Sequence, residues 1–509
     1  EFIFDSSSLS LLNYFFDKNK FIITYFSRSL ISSLLLKENE LENIKINNFH
    51  CLIFLILKNL RRLIKFVFTV LSNIFKRKIS SKKYNKNTFN KTYNFSDYKI
   101  AFFPHKGLRY SNAYKNTHIY DSNIDSKLYK EKIFTFFFES TDEVSSRFLK
   151  IHNIPNHNLN LIISKKKAIK KKLKFIIKNI SFSLVLKNFS LSNFFLLNFY
   201  LNFLFTFFKY ENFLENFKNL KVIYASYDVL FPKTLIFASE LKGIISVSHQ
   251  ERSYHYSYFS PLFYNKYFVS GLFKNVLKKY DYLIDDYIDF GMIRSNKIFS
   301  DKQNIIKNDI SDLINKKKSK KIVLCIGLMV VDDHDVGIYG EDGVSKKSNI
   351  DYVDTILKLS KEYLSCHFVL RFKDKYTISY LSNKIISEIN DSPNIEINNN
   401  FKNTNIYEMV KISDLIIGKQ TSIMEEALSA GKKIIFYDNE NHFNSIDYVL
   451  NTTDISVRNY NELSKKLKFL LLENGDYSRD DIKLFEDYFS LNKKIDSYKI
   501  IKNSILEIL

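Results

Sequence analysis

Apolar and polar positions are most legible after residue 413. Leu415 to Ile417 form a short apolar run of the kind a parallel strand buried on both faces needs, and Gly418 frees the backbone to turn. Thr421 or Ser422 can cap the helix that follows, and Glu425, three residues after Ser422, completes a capping box. Gly431 stops this helix, and Ile434 to Tyr437 restart a buried strand. The same alternation recurs upstream, with a strand at Val222 to Ala225, a helix at Phe231 to Leu241 stopped by Gly243, and a strand at Ile244 to Val247. Lys320 to Gly327 opens a second series, which continues through a helix around Tyr352 to Tyr363, a strand at Cys366 to Phe372 and an amphipathic segment near Ile406 to Ile412. Phe2 to Phe4, Phe21 to Phe26 and Ile100 to Phe103 are earlier strand-like runs. The pattern predicts an α/β fold with two Rossmann-like halves, each a parallel sheet covered on both faces, and additional helices in the N-terminal half. The lysine-rich run Lys316 to Lys321 marks the expected boundary, giving domains at 1–315 and 316–475 and terminal helices at 476–509. No internal repeat of fixed period is present.

Two segments are more apolar than a covering helix needs to be. In FHCLIFLILKNLRRLIKFVFTVLSNIFKRK, Lys58, Arg61, Arg62, Lys65 and Lys76 share one helical face against Leu, Ile, Phe and Val, the form of a helix lying in a lipid interface. A helix packed on a sheet with its charges in water has the same pattern. Ser181 to Phe208 is long enough to span a bilayer, but Lys187, Asn188, Asn193, Asn198 and Asn202 interrupt it, so it reads as core or interfacial helices.

Composition narrows the partners. At 509 residues there is room for two or three domains with separate cores. The chain begins with Glu1 rather than Met, which leaves a fragment or processed product open, and its first residues show no basic stretch followed by an apolar one. Cys51, Cys325 and Cys366 are too scattered for a disulfide framework or a zinc site and read as reduced core residues of a cytoplasmic protein. The balance of 76 Lys plus Arg against 54 Asp plus Glu, a net +22, calls for an anionic partner: nucleic acid, anionic lipid or a phosphorylated substrate. Abundant Lys, Asn, Ile and Phe, with no Trp, are equally what AT-rich coding DNA would give. The basic residues are dispersed and carry no recognisable nucleic-acid motif, so a nucleic-acid-binding protein is the alternative of a different class and no nucleic acid is expected.

Chemistry gathers where strands end, the edge at which an open α/β sheet binds ligands. The first turn of the helix at Thr421 offers N–H groups and a positive dipole end to a diphosphate, with Lys419 beside it, and an acidic residue further along can accept from ribose hydroxyls. Gly327 is small enough for a nucleotide to approach the backbone, while Arg371 and Lys373, at i and i+2, can point together at phosphates. In the first half His105 follows one strand, and His249 with Glu251 follows another. Asp332, Asp333, His334 and Asp335 have metal-ligand chemistry, but they share a loop with Gly337, Gly340 and Gly343 and read as a solvated loop, so no metal site is expected.

The segment T-S-I-M-E-E-A-L-S-A-G-K-K, Thr421 to Lys433, followed by an apolar strand, resembles the donor-nucleotide segment of GT-B glycosyltransferases and the related UDP-N-acetylglucosamine 2-epimerases. The resemblance is greatest to transferases that build bacterial capsule and other surface polysaccharides, and it covers residues 220 to 455. It implies two Rossmann-like domains facing a cleft, phosphates at the Thr421–Ser422 turn, and ribose at Glu426, which precedes Ala427 five residues ahead of Gly431. His249-Gln250 resembles a strand-end Gln-His segment of such enzymes, in reversed order. Retaining members carry a second Glu eight positions before the ribose-binding one; here that position is Gly418, which points to inversion. The implied activity is metal-independent transfer from a nucleotide-sugar co-substrate, with no other cofactor, to a lipid-linked or polysaccharide acceptor at the cytoplasmic membrane's inner face. Polyol-phosphate transfer from a CDP-activated donor, as in teichoic acid polymerases, is the neighbouring alternative.

Overall fold

The computed structural model describes residues 95–104, 132–138, 146–147, 149–150, 154–159, 165–179, 191–226, 231–250, 262–278, 283–293, 295, 298, 311–327, 329–330, 343–344, 346–372, 375–398, 406–419, 421–439, 453–491, 493 and 495–509. The runs at Phe2 to Phe4 and Phe21 to Phe26, the basic apolar segment at 49–78 and Cys51 lie outside them.

The chain divides into two compact units, one of residues 1–98 and 163–219, the other of 99–162 and 220–509. In the first unit, helices α1 (Lys165–Asn179) and α2 (Leu191–Leu214) pack together, with Phe175 on Phe208 and Lys171 paired to Glu211. Among the described residues no helix is long and apolar enough to cross a membrane.

The second unit holds two parallel sheets. The first contains β1 (Ile100–Phe103), β2 (Ile133–Phe137), β3 (Asn156–Asn158), β4 (Val222–Ala225), β5 (Ile245–His249), β6 (Phe263–Val269) and β7 (Leu283–Asp289), in the order β3-β2-β1-β4-β5-β6-β7. Helices α3 (Lys233–Glu240) and α4 (Phe273–Lys278) follow β4 and β6. After α5 (Ser311–Lys317) comes the second sheet: β8 (Lys321–Ile326), β11 (Cys366–Arg371), β12 (Ile395–Ile397), β13 (Leu415–Gly418), β14 (Lys433–Tyr437) and β15 (Ser456–Val457), ordered β12-β11-β8-β13-β14-β15. A two-residue pair, β9 (Met329–Val330) and β10 (Gly343–Val344), stands apart. Between these strands run α6 (Lys346–Glu362), α7 (Lys375–Ser379), α8 (Asn383–Asp391), α9 (Ile406–Ile412), α10 (Ser422–Ser429) and α11 (Tyr460–Leu467).

Among the described residues every ladder is parallel, so each step along a sheet needs a crossover, and helices bury both faces. That is why the central strands read as continuous apolar runs. Val323 and Cys325 of β8 share a core with Tyr352, Val353 and Ile356 of α6, while Ile322 and Leu324 are just as buried on the other face. Burial pushes the Cys325 thiol up, as befits an inert core cysteine. The edge strand β7 is instead half-exposed and carries Asp285, Asp286 and Asp289, charges that discourage pairing with another chain.

The terminal helices α12 (Arg479–Phe489) and α13 (Ser497–Ile508) tie the two sheets together. α12 packs on α10 of the second sheet, and its C-terminal carbonyls are met by the turn after β6. The N–H of Leu272 donates to Asp487 O at 2.8 Å, and Ser270 Oγ donates to Tyr488 O at 2.9 Å. α13 then puts Ile501 and Ile505 into the core of the first sheet with Ile100, Phe102 and Tyr224.

Gly271 permits this docking, because its φ of +46° lies in the left-handed region and a Cβ there would sit 1.9 Å from Asp487 O. Gly271→Ala is therefore expected to cost about 2–4 kcal/mol, from backbone strain and overpacking together. Thermal unfolding checks this, and an unchanged midpoint would show that the turn does not bear on the helix.

Candidate functional site

Strand order reverses between β8 and β13, and the helices that follow them leave to opposite faces. α6 packs on the face of Val323 and Ile417, whereas a Cβ on Gly418, which by the pleat points the other way, would meet Met424 Sδ of α10 at 2.8 Å. Such a reversal opens a crevice at the C-terminal strand ends. Tyr352 Oη donates to Ile417 O at 3.0 Å, which holds the second turn of α6 to the end of β13.

Lys419 leaves β13 with only 3% of its surface exposed. Its Nζ donates to Asn439 Oδ1 at 2.6 Å and to Ser348 Oγ, so it joins the start of α6 to the end of β14. One residue on, Asn349 is 1% exposed, and both of its amide atoms lack a protein partner. A buried amide with nothing to bond is costly, and one at a ligand edge invites a polar ligand.

The cap of α10 differs from the expected box. Thr421 is the cap residue, with extended backbone and no side-chain capping bond, and Ser422 is already helical. Glu425 therefore falls one position too late to close a box and is fully buried. The first N–H groups of the helix are thus not taken up by the Thr421 side chain. Glu426, 2% exposed, accepts a hydrogen bond on Oε2 from Tyr407 Oη of α9 at 2.7 Å. Nothing in the spacing of Tyr407 signals this, because the pair is made between two helices.

Other residues singled out in the sequence lie at this edge for different reasons. Gly327 follows β8, and a Cβ there would lie 2.5 Å from the Phe372 ring, so the glycine makes room for that ring. Arg371 is buried at the end of β11, where Nη1 donates to Asn398 Oδ1 at 2.6 Å and ties β11 to β12; burial lowers its pKa. Lys373 and Asp332 to Asp335 lie outside the described residues, and among those described no group of three or more His, Cys, Asp or Glu could hold a metal ion.

In the first sheet His249 is the last residue of β5 and is 4% exposed. Its Nδ1 lies 2.8 Å from Tyr224 Oη of β4, with the Phe290 ring centroid 6.1 Å away. Tyr224 was not singled out in the sequence, since only strand pairing brings it beside His249. Next to it, Gln250 accepts from the Ser270 N–H at 3.0 Å on Oε1, while its buried Nε2 has no partner. His105 and Glu251 lie outside the described residues.

No protein-family model matches the chain, and no curated protein matches it in sequence. Solved structures do match. UDP-GlcNAc 2-epimerase from Neisseria meningitidis, bound to UDP-GlcNAc, is 13% identical over 80% of this chain and 99% of its own, with a TM-score of 0.44. The wall teichoic acid polymerase TagF is 13% identical over 81% of this chain and 89% of its own, at 0.44. MurG from Acinetobacter baumannii is 10% identical over 81% and 99%, at 0.40.

Asn349→Leu, close in branching but without polar atoms, is expected to raise stability by about 1–3 kcal/mol, because it removes two buried groups that have no partner. Thermal unfolding without ligand measures it. A lower midpoint would mean that the amide has a protein partner.

Proposed function

We propose that the chain is a GT-B glycosyltransferase that moves a sugar from a nucleotide-sugar donor to a membrane-associated acceptor, lipid-linked or polysaccharide, at the inner face of the cytoplasmic membrane. The supporting observation is the strand reversal at β8 and β13, which gathers the uncapped start of α10, Lys419, Asn349 and the Tyr407–Glu426 pair at one edge. Those groups suit the three parts of a nucleoside diphosphate. Helix N–H groups and a buried lysine favour the diphosphate, an oriented carboxylate suits a ribose diol, and a free amide suits a group presenting both donor and acceptor, such as a base edge.

Transfer would proceed by direct displacement without a metal. The acceptor oxygen forms its bond to the anomeric carbon as the bond from that carbon to the diphosphate oxygen breaks, and the electron pair leaves with the nucleoside diphosphate. The acceptor proton goes to His249 Nε2. That role needs the tautomer in which Nδ1–H donates to Tyr224 Oη; the opposite tautomer would leave Nε2 a donor.

Thermal shift against UDP, CDP, GDP and CMP and their sugar conjugates tests the reading, because a ligand that binds only the folded state must stabilise it. A panel with no stabilising member would sink it. Glu426→Ala should weaken the stabilising nucleotide by about 1.5–3 kcal/mol in a folded protein, and Tyr407→Phe by less, since the carboxylate remains. Unchanged affinity in Glu426→Ala would take the residue out of the site.

With a donor in hand, His249→Ala should lower turnover by about 10²-fold or more while donor affinity holds. Tyr224→Phe should lower turnover less and shift the pH profile, because the tautomer is no longer fixed. A fully active His249→Ala enzyme would move the base to His105 or to a carboxylate.

A further inference from the structure

We propose that the face of α1 carrying Lys170, Leu173 and Lys174 is a docking surface for an anionic lipid bilayer. Eight of the 15 residues of α1 are lysine and none is acidic. Lys170 and Lys174 stand at i, i+4, a like-charge spacing that destabilises a helix by itself and that anions lying against it relieve.

The lysines divide by direction. Lys171 is turned to α2, where its Nζ meets Glu211 at 2.8 Å and Glu215 at 2.5 Å, and Lys172 Nζ lies 6.0 Å from the Phe205 ring centroid. Lys170 and Lys174 are exposed, and between them Leu173 keeps 43% of its surface in water. Intramolecular contacts thus engage Lys171 and Lys172, while Lys170 and Lys174 face water, open to a partner.

Two features choose lipid over nucleic acid. α1 contains no arginine, the side chain suited to bidentate phosphate contacts, and lysine suits a diffuse negative surface as a point charge. Beside the two exposed lysines stands the exposed Leu173, and α2, the helix on which α1 packs, has no charged residue from Leu191 to Phe208. Basic and apolar groups side by side are what a helix at a headgroup layer presents. The surface deepens the peripheral-membrane part of the proposed function by naming an element for it, and it is independent of the donor site.

Flotation of the full chain with vesicles of phosphatidylcholine alone or with phosphatidylglycerol tests the assignment at about 0.1 M salt, where screening reaches about 10 Å. The parent should float only with the anionic vesicles. Lys170→Glu with Lys174→Glu should cut partitioning at least about tenfold, given the contribution of each charge near such a surface. Leu173→Ala should weaken it while leaving the salt dependence in place. Circular dichroism and nucleotide-induced thermal shift should match the parent in all variants. Equal flotation of the double variant and the parent would overturn the surface and leave the enzymatic reading standing. A parent that ignores anionic vesicles yet loses salt-sensitive RNA binding on the same substitutions would overturn the lipid partner.

Discussion

Parallel pairing is the constraint on which the rest of this molecule depends. A parallel strand cannot follow its neighbour through a tight turn, so each of the seven- and six-stranded sheets is threaded by crossovers and buried on both faces. The same constraint delivers all strand C-termini to one edge, where chemistry can accumulate. At the opposite edge of the second sheet Lys317 reaches Asp414 at 3.3 Å, and Asp414 Oδ2 accepts from the Ile322 N–H at 2.8 Å, contacts that brace β8.

At the C-terminal ends of the strands both candidate ionisable groups are held in the same way. Glu426 is bonded by Tyr407 and His249 by Tyr224, each a hydroxyl from the neighbouring element and each pair largely out of water. A tyrosine can fix the orientation of such a group without adding a competing charge, which a carboxylate partner would do. The buried Lys419 is likewise held by a serine hydroxyl and an asparagine oxygen.

Much of this was legible in the sequence where burial is two-sided. β4, β5, β8, β11, β13 and β14 stand out because their apolar runs are bounded by glycine or polar residues. β6 and β7 do not, since FYNKYFV and LIDDYID mix charges and aromatics, and β3 and β12 are three-residue strands defined mainly by their partners. The turn, the helix and Thr421 as one of its two possible caps were readable; the box from Ser422 to Glu425 was not formed, because Ser422 is already helical and Glu425 is buried. The Gly327 position was readable and its reason was not, because Phe372 comes from another strand end. Tyr224 and Tyr407 were invisible for the same cause, as each partner is set by tertiary pairing.

The place of α13 has a consequence for how the protein is made. Ile501 and Ile505 complete a core whose founding strand, β1, leaves the ribosome roughly 400 residues earlier, at synthesis rates of about 5–20 residues per second. For tens of seconds the nascent first sheet lacks part of one face, while the second sheet, built from residues closer together in the chain, can close around α6 and α8. The order of folding is therefore expected to run against the order of translation, with the first sheet waiting for α13 and exposed to chaperones meanwhile.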